Sequence, residues 1–293
     1  LKKFILNSAA WFANQVPDSW RKTIYRIKPI ARLVRGTLNS AAPTGLSKIS
    51  VAAGDLKGTK LYLNLQIEKD YWLGTYEPEL HAAVRKYVKP GMTAYDIGAN
   101  IGVISILFAK TVGKTGQVVS FEALPANIER LKQNLIVSGY QNQVSVIHAA
   151  VTNHYKSVEF LVHDSTSMGK VAGSGGRKDQ DYQKTIQVPG IALDDYVESH
   201  LLKSPDVIKL DIEGGEILAI EHMRQIIQSA QPLMLVELHG PDSAKSVGKV
   251  LNDLNYRVVL MDNPKKEIDL THPDHWKAYI IAFPPQDNSV KDS

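Results

Sequence analysis

Apolar and polar positions follow two different periods along this chain, and the switches between them mark its elements. Ile49–Ala53 and Lys60–Leu65 are short candidate strands around a Gly54–Gly58 turn, which predicts a small antiparallel hairpin. From Tyr76 to Val88 the period becomes helical, with Leu80, Ala83, Val84 and Tyr87 on one side and Pro90-Gly91 as the stop. A short apolar run, Thr93–Ile97, then meets Gly98 and Gly102, and Val103, Ile104, Ile106, Leu107 and Phe108 begin another helix. Gln117–Phe121 predicts a strand ending at Glu122, and Pro125 opens a helix that Gly139 stops. Val144–Val151 predicts a third strand of the series and Val158–Val162 an edge strand, with a polar, Gly-rich substrate-facing loop over 164–190. Val207–Leu210 leads to Asp211, Glu213 and a helix over Glu216–Gln228; Leu233–Leu238 ends in Glu237 and His239. A helix over Ser243–Leu254 and late strands at Arg257–Met261 and Tyr279–Phe283 complete the pattern.

Strands alternating with helices imply a mainly parallel sheet covered on both faces, with ligands at the carboxyl ends of its strands. Asp96, Glu122, Asp211 with Glu213, and Glu237 with His239 each terminate an apolar run. One such residue would be a helix cap; four strands doing it together indicate a site.

Charge changes the picture only at the N-terminus. In the first forty residues eight Lys and Arg face a single acid, Asp18, so that of a net +4 the remaining chain carries −3. That balance argues against a nucleic-acid groove on the main body. Ile24, Ile27, Ile30 and Val34 recur at helical spacing among the basic residues. The segment reads either as a helical cap packed on the main domain or as an amphipathic helix resting peripherally on an anionic membrane. With a linker at 36–48, the expected organisation is a basic extension over 1–48 and one domain over 49–293. That domain has its hairpin at 49–65 and its core at 76–283. No stretch approaches the roughly 18 apolar residues that span a bilayer, and a cytoplasmic protein is expected. The chain has no cysteine, which excludes disulfides and thiolate chemistry.

A strand ending in a carboxylate, a Gly-bearing turn and a helix N-terminus form a nucleoside-binding corner. The turn Gly98-Ala99-Asn100-Ile101-Gly102 lacks the GxGxxG spacing of dinucleotide sites, and Asp96 would repel a pyrophosphate. S-adenosylmethionine, with a cationic ammonium and sulfonium, would tolerate that acid. Glu122 is placed to accept from both ribose hydroxyls.

The runs KPGMTAYDIGANIGVIS, FEALPAN, IALDDYV, VIKLDIEGGE and LVELHG resemble the FkbM family of S-adenosylmethionine-dependent methyltransferases from about Tyr76 to Phe283. The resemblance implies a Rossmann-like, doubly wound, mainly parallel seven-stranded sheet of the class I methyltransferase type, here with an N-terminal helical extension. It also implies that Asp96, Gly98, Asn100, Gly102, Glu122, Asn127 and Asp211 contact the cofactor. Lys209, Asp211, Glu213, Gly214 and Glu216 match the family's K-x-D-x-E-G-x-E signature, and Glu237 with His239 match the acid and His ending the next strand. The third strand ends His148-Ala149-Ala150, with no acid for an adenine amine, and backbone contacts are expected there.

Methyl transfer needs an aligned nucleophile and, for an alcohol, removal of its proton. His239 is the expected base, with a turn-capping His as the alternative reading. Asp211 and Glu213 either act in the chemistry or hold Mg²⁺ together with Glu237 or His239, or else contact the ligand and cap the following helix. Mg²⁺ is not required by the sequence. The expected acceptor is a hydroxyl of a sugar, glycolipid or other small metabolite, touched by Glu237, His239 and Ser167. Ser165, Thr166 and Lys170 share the acceptor loop; Tyr76 and Glu77 precede a helix expected over the cofactor turn. Asp194-Asp195 reads as a helix start, and His272 with His275 as a loop pair of metal-like spacing. The rival readings are an NAD-binding oxidoreductase on a similar sheet and a non-catalytic protein acting through its basic N-terminal segment.

Overall fold

The computed structural model describes Ser8, Trp11 and residues 40–163, 169–175, 182–272 and 279–285. Nearly all of the basic N-terminal segment, Ser165, Thr166, Ser167 and His275 lie outside the described residues. The chain divides into two compact units, one up to His81 with Ile136–Gly139, the other Ala82–Leu135 and Tyr140 onward.

In the first unit β1 (Leu46–Ser50) and β2 (Lys60–Asn64) form the antiparallel hairpin, Leu46 opposite Asn64. The first strand lies earlier than the apolar run predicts. Val51 is used to close the turn, donating to Thr59 O and accepting from Gly58 N at 2.9 Å each. A five-residue helix, α1 (Lys69–Leu73), ends at Gly74 in the left-handed region; it is too short to show a period. Helix α2 (Pro78–Tyr87) runs from this unit into the next.

The second unit begins with β3 (Thr93–Ile97), α3 (Val103–Val112), β4 (Gln117–Glu122), α4 (Pro125–Ser138) and β5 (Val144–His148). A small sheet follows, from β6 (Ala150–Val151), β7 (Lys156–His163), β8 (Gly169–Val171) and β9 (Tyr182–Ile191). The main sheet resumes with α5 (Leu193–Ser199), β10 (Val207–Leu210) and α6 (Glu216–Ala219), then a 3-10 turn at Ile220–Met223 and α7 (Arg224–Ala230). β11 (Leu233–Glu237), α8 (Pro241–Asp253), β12 (Arg257–Leu260) and β13 (Tyr279–Phe283) complete it.

The seven-stranded sheet has the order β12-β13-β11-β10-β3-β4-β5. β11, β10, β3, β4 and β5 pair in parallel, and β13 is antiparallel to both neighbours. Every position of β3 and β10 is buried, as strands with helices on both faces require. Tyr95, Ile97, Phe121, Ile208, Leu210, Met234, Val236 and Ile280 anchor the apolar core.

Four predicted elements of this unit differ. Val144–Val151 is two strands: at Ala149, whose N–H donates to Glu122 O at 3.0 Å, the chain leaves the main sheet. β6 then pairs with β9 in a second sheet of order β6-β9-β7-β8. The expected edge strand at 158–162 is flanked by β8 and β9, and the expected loop at 164–190 supplies both partners. Pro189 and Gly190 inside β9 disguise it in the sequence. The single helix expected at 216–228 is broken by the 3-10 turn. No described helix is long and apolar enough to cross a membrane.

Candidate active site

The turn after β3 is shaped by its neighbour. Gly98 has φ +83°, and a Cβ there would lie 1.8 Å from Asp211 O, so only glycine permits this approach of β3 to the end of β10. Asn100 (φ +50°) and Gly102 (φ +87°) carry the chain into α3, whose first turn has no side-chain cap. Asn100 Oδ1 is buried with no hydrogen-bond partner among the described residues, an orphaned acceptor in this turn.

Glu122 does not face outward as a bidentate ribose acceptor. Its Oε2 accepts from Asn100 N at 2.7 Å, and its Oε1 from Ala123 N at 2.9 Å, Leu124 N at 2.8 Å and Asn127 Nδ2 at 3.4 Å. A carboxylate at a strand end next to three unpaired backbone amides closes on them first. Burial nevertheless raises its pKa against those donors. Asn127 thus supports Glu122. His148 donates to Ala123 O at 3.1 Å on the same turn.

Asp96 is also turned inward. It is fully buried; Ser105 Oγ donates to its Oδ2 at 2.6 Å, and Ser120 Oγ to Ser105 Oγ at 2.8 Å. Its counter-charge belongs to the chain. Sheet register sets Lys209 directly opposite Asp96, with Nζ 3.5 Å from Asp96 Oδ1, 3.0 Å from Asp211 Oδ2 and donating to Gly98 O at 2.8 Å.

Beyond Lys209, the ends of β10 and β11 converge. His239 Nε2 lies 3.7 Å from Asp211 Oδ1, 3.5 Å from Glu213 Oε2 and 3.6 Å from Glu237 Oε1. Its Nδ1 donates to Glu216 Oε1 at 3.1 Å, since a carboxylate can only accept. Glu213 reaches the group through a left-handed backbone (φ +54°). Burial would lower the His239 pKa, but the Glu216 hydrogen bond and the charges of Glu216, Asp211 and Glu213 overcome it and push the value up to about 10. Burial and the facing Asp211 push Glu237 up to about 7, against the pull of His239 and Tyr279. These surroundings favour the cationic form of His239 at neutral pH and leave Glu237 as the group poised near neutrality.

Asp211, Glu237 and His239 each offer one atom within 4.8 Å of the others, the spread of a metal-ligand set, and Glu213 is not among them. Two positive side chains, Lys209 and His239, already stand against Asp211.

Other candidates fall elsewhere. Tyr76 packs its ring on Tyr71 at 4.4 Å within the first unit, and Glu77 there has φ +42°. Asp194 starts no chemistry: its carboxylate accepts from Gln225 N and Ile226 N at 3.0 and 2.9 Å, capping α7. His272 donates its backbone N–H to Asp269 O. Lys170 is buried and donates to Gly175 O at 2.9 Å, while Gly175 N donates to Gly214 O at 2.9 Å. The small sheet therefore touches the turn that carries Glu213. Sequence reasoning missed Ser105, Ser120 and Ser243 as partners of the site's acids; isolated serines in helical or strand patterns carry no signal of what they touch.

Residues 96–258 match the family described as the methyltransferase FkbM domain. The hexuronic acid methyltransferase AglP of Haloferax volcanii is 24% identical over 159 residues, 54% of this chain and 61% of that protein. The matched region thus spans about three-fifths of that relative's length. Among solved structures, methyltransferase FkbM from Methylobacillus flagellatus is 16% identical, covers 75% of this chain and 51% of its own, and has a TM-score of 0.47. A SAM-dependent O-methyltransferase from Thermotoga maritima is 14% identical, with 88% and 82% covered and a TM-score of 0.42. The family match runs without a break from the acid of the first glycine turn, Asp96, through the acid-and-His end of β11 to Val258 in β12, more than half of the 293 residues, and the chain belongs to the FkbM methyltransferase family.

Proposed function

We propose that this protein transfers a methyl group from S-adenosylmethionine to an oxygen of a small-molecule or glycan acceptor, in particular a sugar hydroxyl. The observation that carries this reading is the half-buried ring of Asp211, Glu213 and Glu237 around His239 Nε2, which adjoins the Gly98 turn through Asp211. The cofactor, when bound, supplies an electrophilic methyl group. Asn100 Oδ1 and the uncapped start of α3 fit a ligand rich in hydrogen-bond donors and acceptors. Glu122 and Asn127 hold that turn in shape, and Asp96 with Lys209 fixes it to β10. The net acidity of the cluster favours a cationic donor over a pyrophosphate.

On the acceptor side, Glu237 would take the hydroxyl proton as the oxygen bonds to the methyl carbon and the methyl–sulfur bond breaks, leaving S-adenosylhomocysteine, while the protonated His239 would orient that oxygen. No side-chain oxygen among the described residues comes closer to Nε2 than 3.5 Å, longer than a hydrogen bond, so a donor faces the incoming acceptor. Lys209 and His239 provide positive charge at Asp211, and Mg²⁺ is not needed for this step. The sugar acceptor is favoured by the similarity to a hexuronic acid methyltransferase.

The test is calorimetric titration with S-adenosylhomocysteine and with NAD⁺, followed by methyl transfer from labelled S-adenosylmethionine to uronic-acid-containing sugars. Micromolar binding of S-adenosylhomocysteine alone, with turnover lost in Glu237→Gln but binding kept, supports the reading. Binding of NAD⁺ instead, or of neither, overturns it.

A further inference from the structure

Glu216 stands apart from the other acids of the cluster because none of it is exposed. Its Oε1 accepts from Ile212 N at 3.1 Å, Gly214 N at 3.3 Å and His239 Nδ1 at 3.1 Å. Its Oε2 accepts from Ser243 Oγ at 2.5 Å, and Ser243 is itself 1% exposed, in the first turn of α8. One carboxylate therefore joins three segments. Ile212–Gly214 directly follows Asp211 and contains Glu213, the chain after β11 carries His239, and α8 contributes Ser243.

The consequence is geometric. An imidazole can turn about its last side-chain bond and present either nitrogen to the acids around it. Binding Nδ1 to Glu216 selects one orientation, in which Nε2 points at Asp211, Glu213 and Glu237. Glu216 can hold that ring only if its own carboxyl plane is fixed. The two backbone amides fix one oxygen and the Ser243 hydroxyl fixes the other. Without the hydroxyl, Oε2 would be a buried charged oxygen lacking any donor among those described, and rotation of the carboxyl group would relieve it.

We propose that Ser243 and Glu216 are positioning residues, a buried pair that locks His239 with Nδ1 inward and Nε2 toward the acceptor. The proposal deepens the reading of this cluster as the acceptor site and rests on it for its catalytic consequence, though not for its geometry. Neither residue touches the reacting atoms. Their effect passes through the His239 ring.

The test compares the wild type with Ser243→Ala, Ser243→Thr and Glu216→Gln, using nitrogen-15 spectra of the histidine side chains with the His239 signals identified by their loss in His239→Gln. In the wild type the Nδ1 proton should be downfield and slow to exchange with water. Ser243→Ala should speed that exchange at least about tenfold and lower kcat about 10- to 100-fold, with KM for S-adenosylmethionine changed less than about twofold. Ser243→Thr, which keeps the hydroxyl, should restore both to within about threefold. Glu216→Gln should abolish the downfield signal and move the pH profile of kcat. An unmoved Nδ1 signal in Ser243→Ala, whether or not the melting temperature falls, would overturn the proposal and reduce the hydroxyl to packing within α8. If Glu216→Gln does not fold, the Ser243 pair decides alone. If the wild type transfers no methyl group, the spectra still decide the geometry, while the function proposed above fails separately.

Discussion

Replacing Lys209 by Met should unfold this protein more readily than almost any other single change at its site. Lys209 and Asp96 are 6% and 0% exposed at their side chains, with Nζ 3.5 Å from one carboxylate and 3.0 Å from another. At an effective dielectric constant near 20, each attraction amounts to about 5 kcal/mol, and desolvation of the three charges offsets much of it. What Met would leave behind is the larger quantity: a buried Asp96 carboxylate held by the Ser105 hydroxyl without a counter-charge among the described residues, and Gly98 O without its ammonium. Removing one partner of such a pair costs about 3–5 kcal/mol, which for a domain of this size lowers the melting temperature by roughly 10 °C or more. Urea denaturation of Lys209→Met, Asp96→Asn and the double variant measures it. The double variant should be more stable than Lys209→Met, because the uncompensated buried charge is gone and Asp211 can hydrate. A loss below about 1 kcal/mol in Lys209→Met, or strict additivity in the double variant, would refute the assignment of Lys209 as the internal counter-ion.

Gly98→Ala should destabilise the fold by about 3 kcal/mol or more and abolish binding of S-adenosylhomocysteine, since the new Cβ would overlap Asp211 O at 1.8 Å and sit at φ +83°; wild-type binding in this variant would contradict it. Stability should fall as pH rises from about 5 toward 10. Glu237 (raised to about 7) and His239 (raised to about 10) both bind protons more tightly folded than unfolded, so the folded state holds the extra protons across that window. Melting curves should show this slope and should flatten above pH 7 in His239→Gln; an unchanged slope there would count against the imidazolium. Asp194→Ala should cost about 1 kcal/mol by uncapping α7 and leave turnover unchanged, measured by denaturation and kinetics in parallel.

The glycine turn, the strand-end acids and the parallel core were legible in the sequence because each is written in local order. An apolar run stops at a charge, a glycine follows, and a helical period begins. What the sequence could not reveal is where each acid points. Asp96 and Glu122 read as ligand contacts, yet both close on donors of the protein. The deciding partners, Lys209 for Asp96 and Asn100 N for Glu122, are 113 and 22 positions away and meet them only through sheet register and turn geometry. The surroundings of His239 were hidden for a related reason, since a residue's ordinary pKa says nothing of three carboxylates brought to it by another strand and a helix. The small sheet was missed because β8 has only three residues and β9 contains a proline and a glycine.

The seventh strand of the main sheet has a consequence for how the molecule is made. β13 is the last described strand in chain order, yet it lies inside the sheet, hydrogen-bonded to β11 on one side and β12 on the other, with Ile280, Ile281 and Ala282 wholly buried. On the ribosome β11 would emerge about 45 residues ahead of its neighbour. At roughly 5–20 residues per second its apolar edge, with Glu237 at its tip, would wait several seconds for a partner. During that interval the nascent chain presents an open hydrogen-bonding rim, the kind of edge that recruits a chaperone or a second nascent chain. The acid cluster at the end of β11 is thus completed last: Tyr279, opposite Glu237 in the register, arrives only when translation of this sheet is finished.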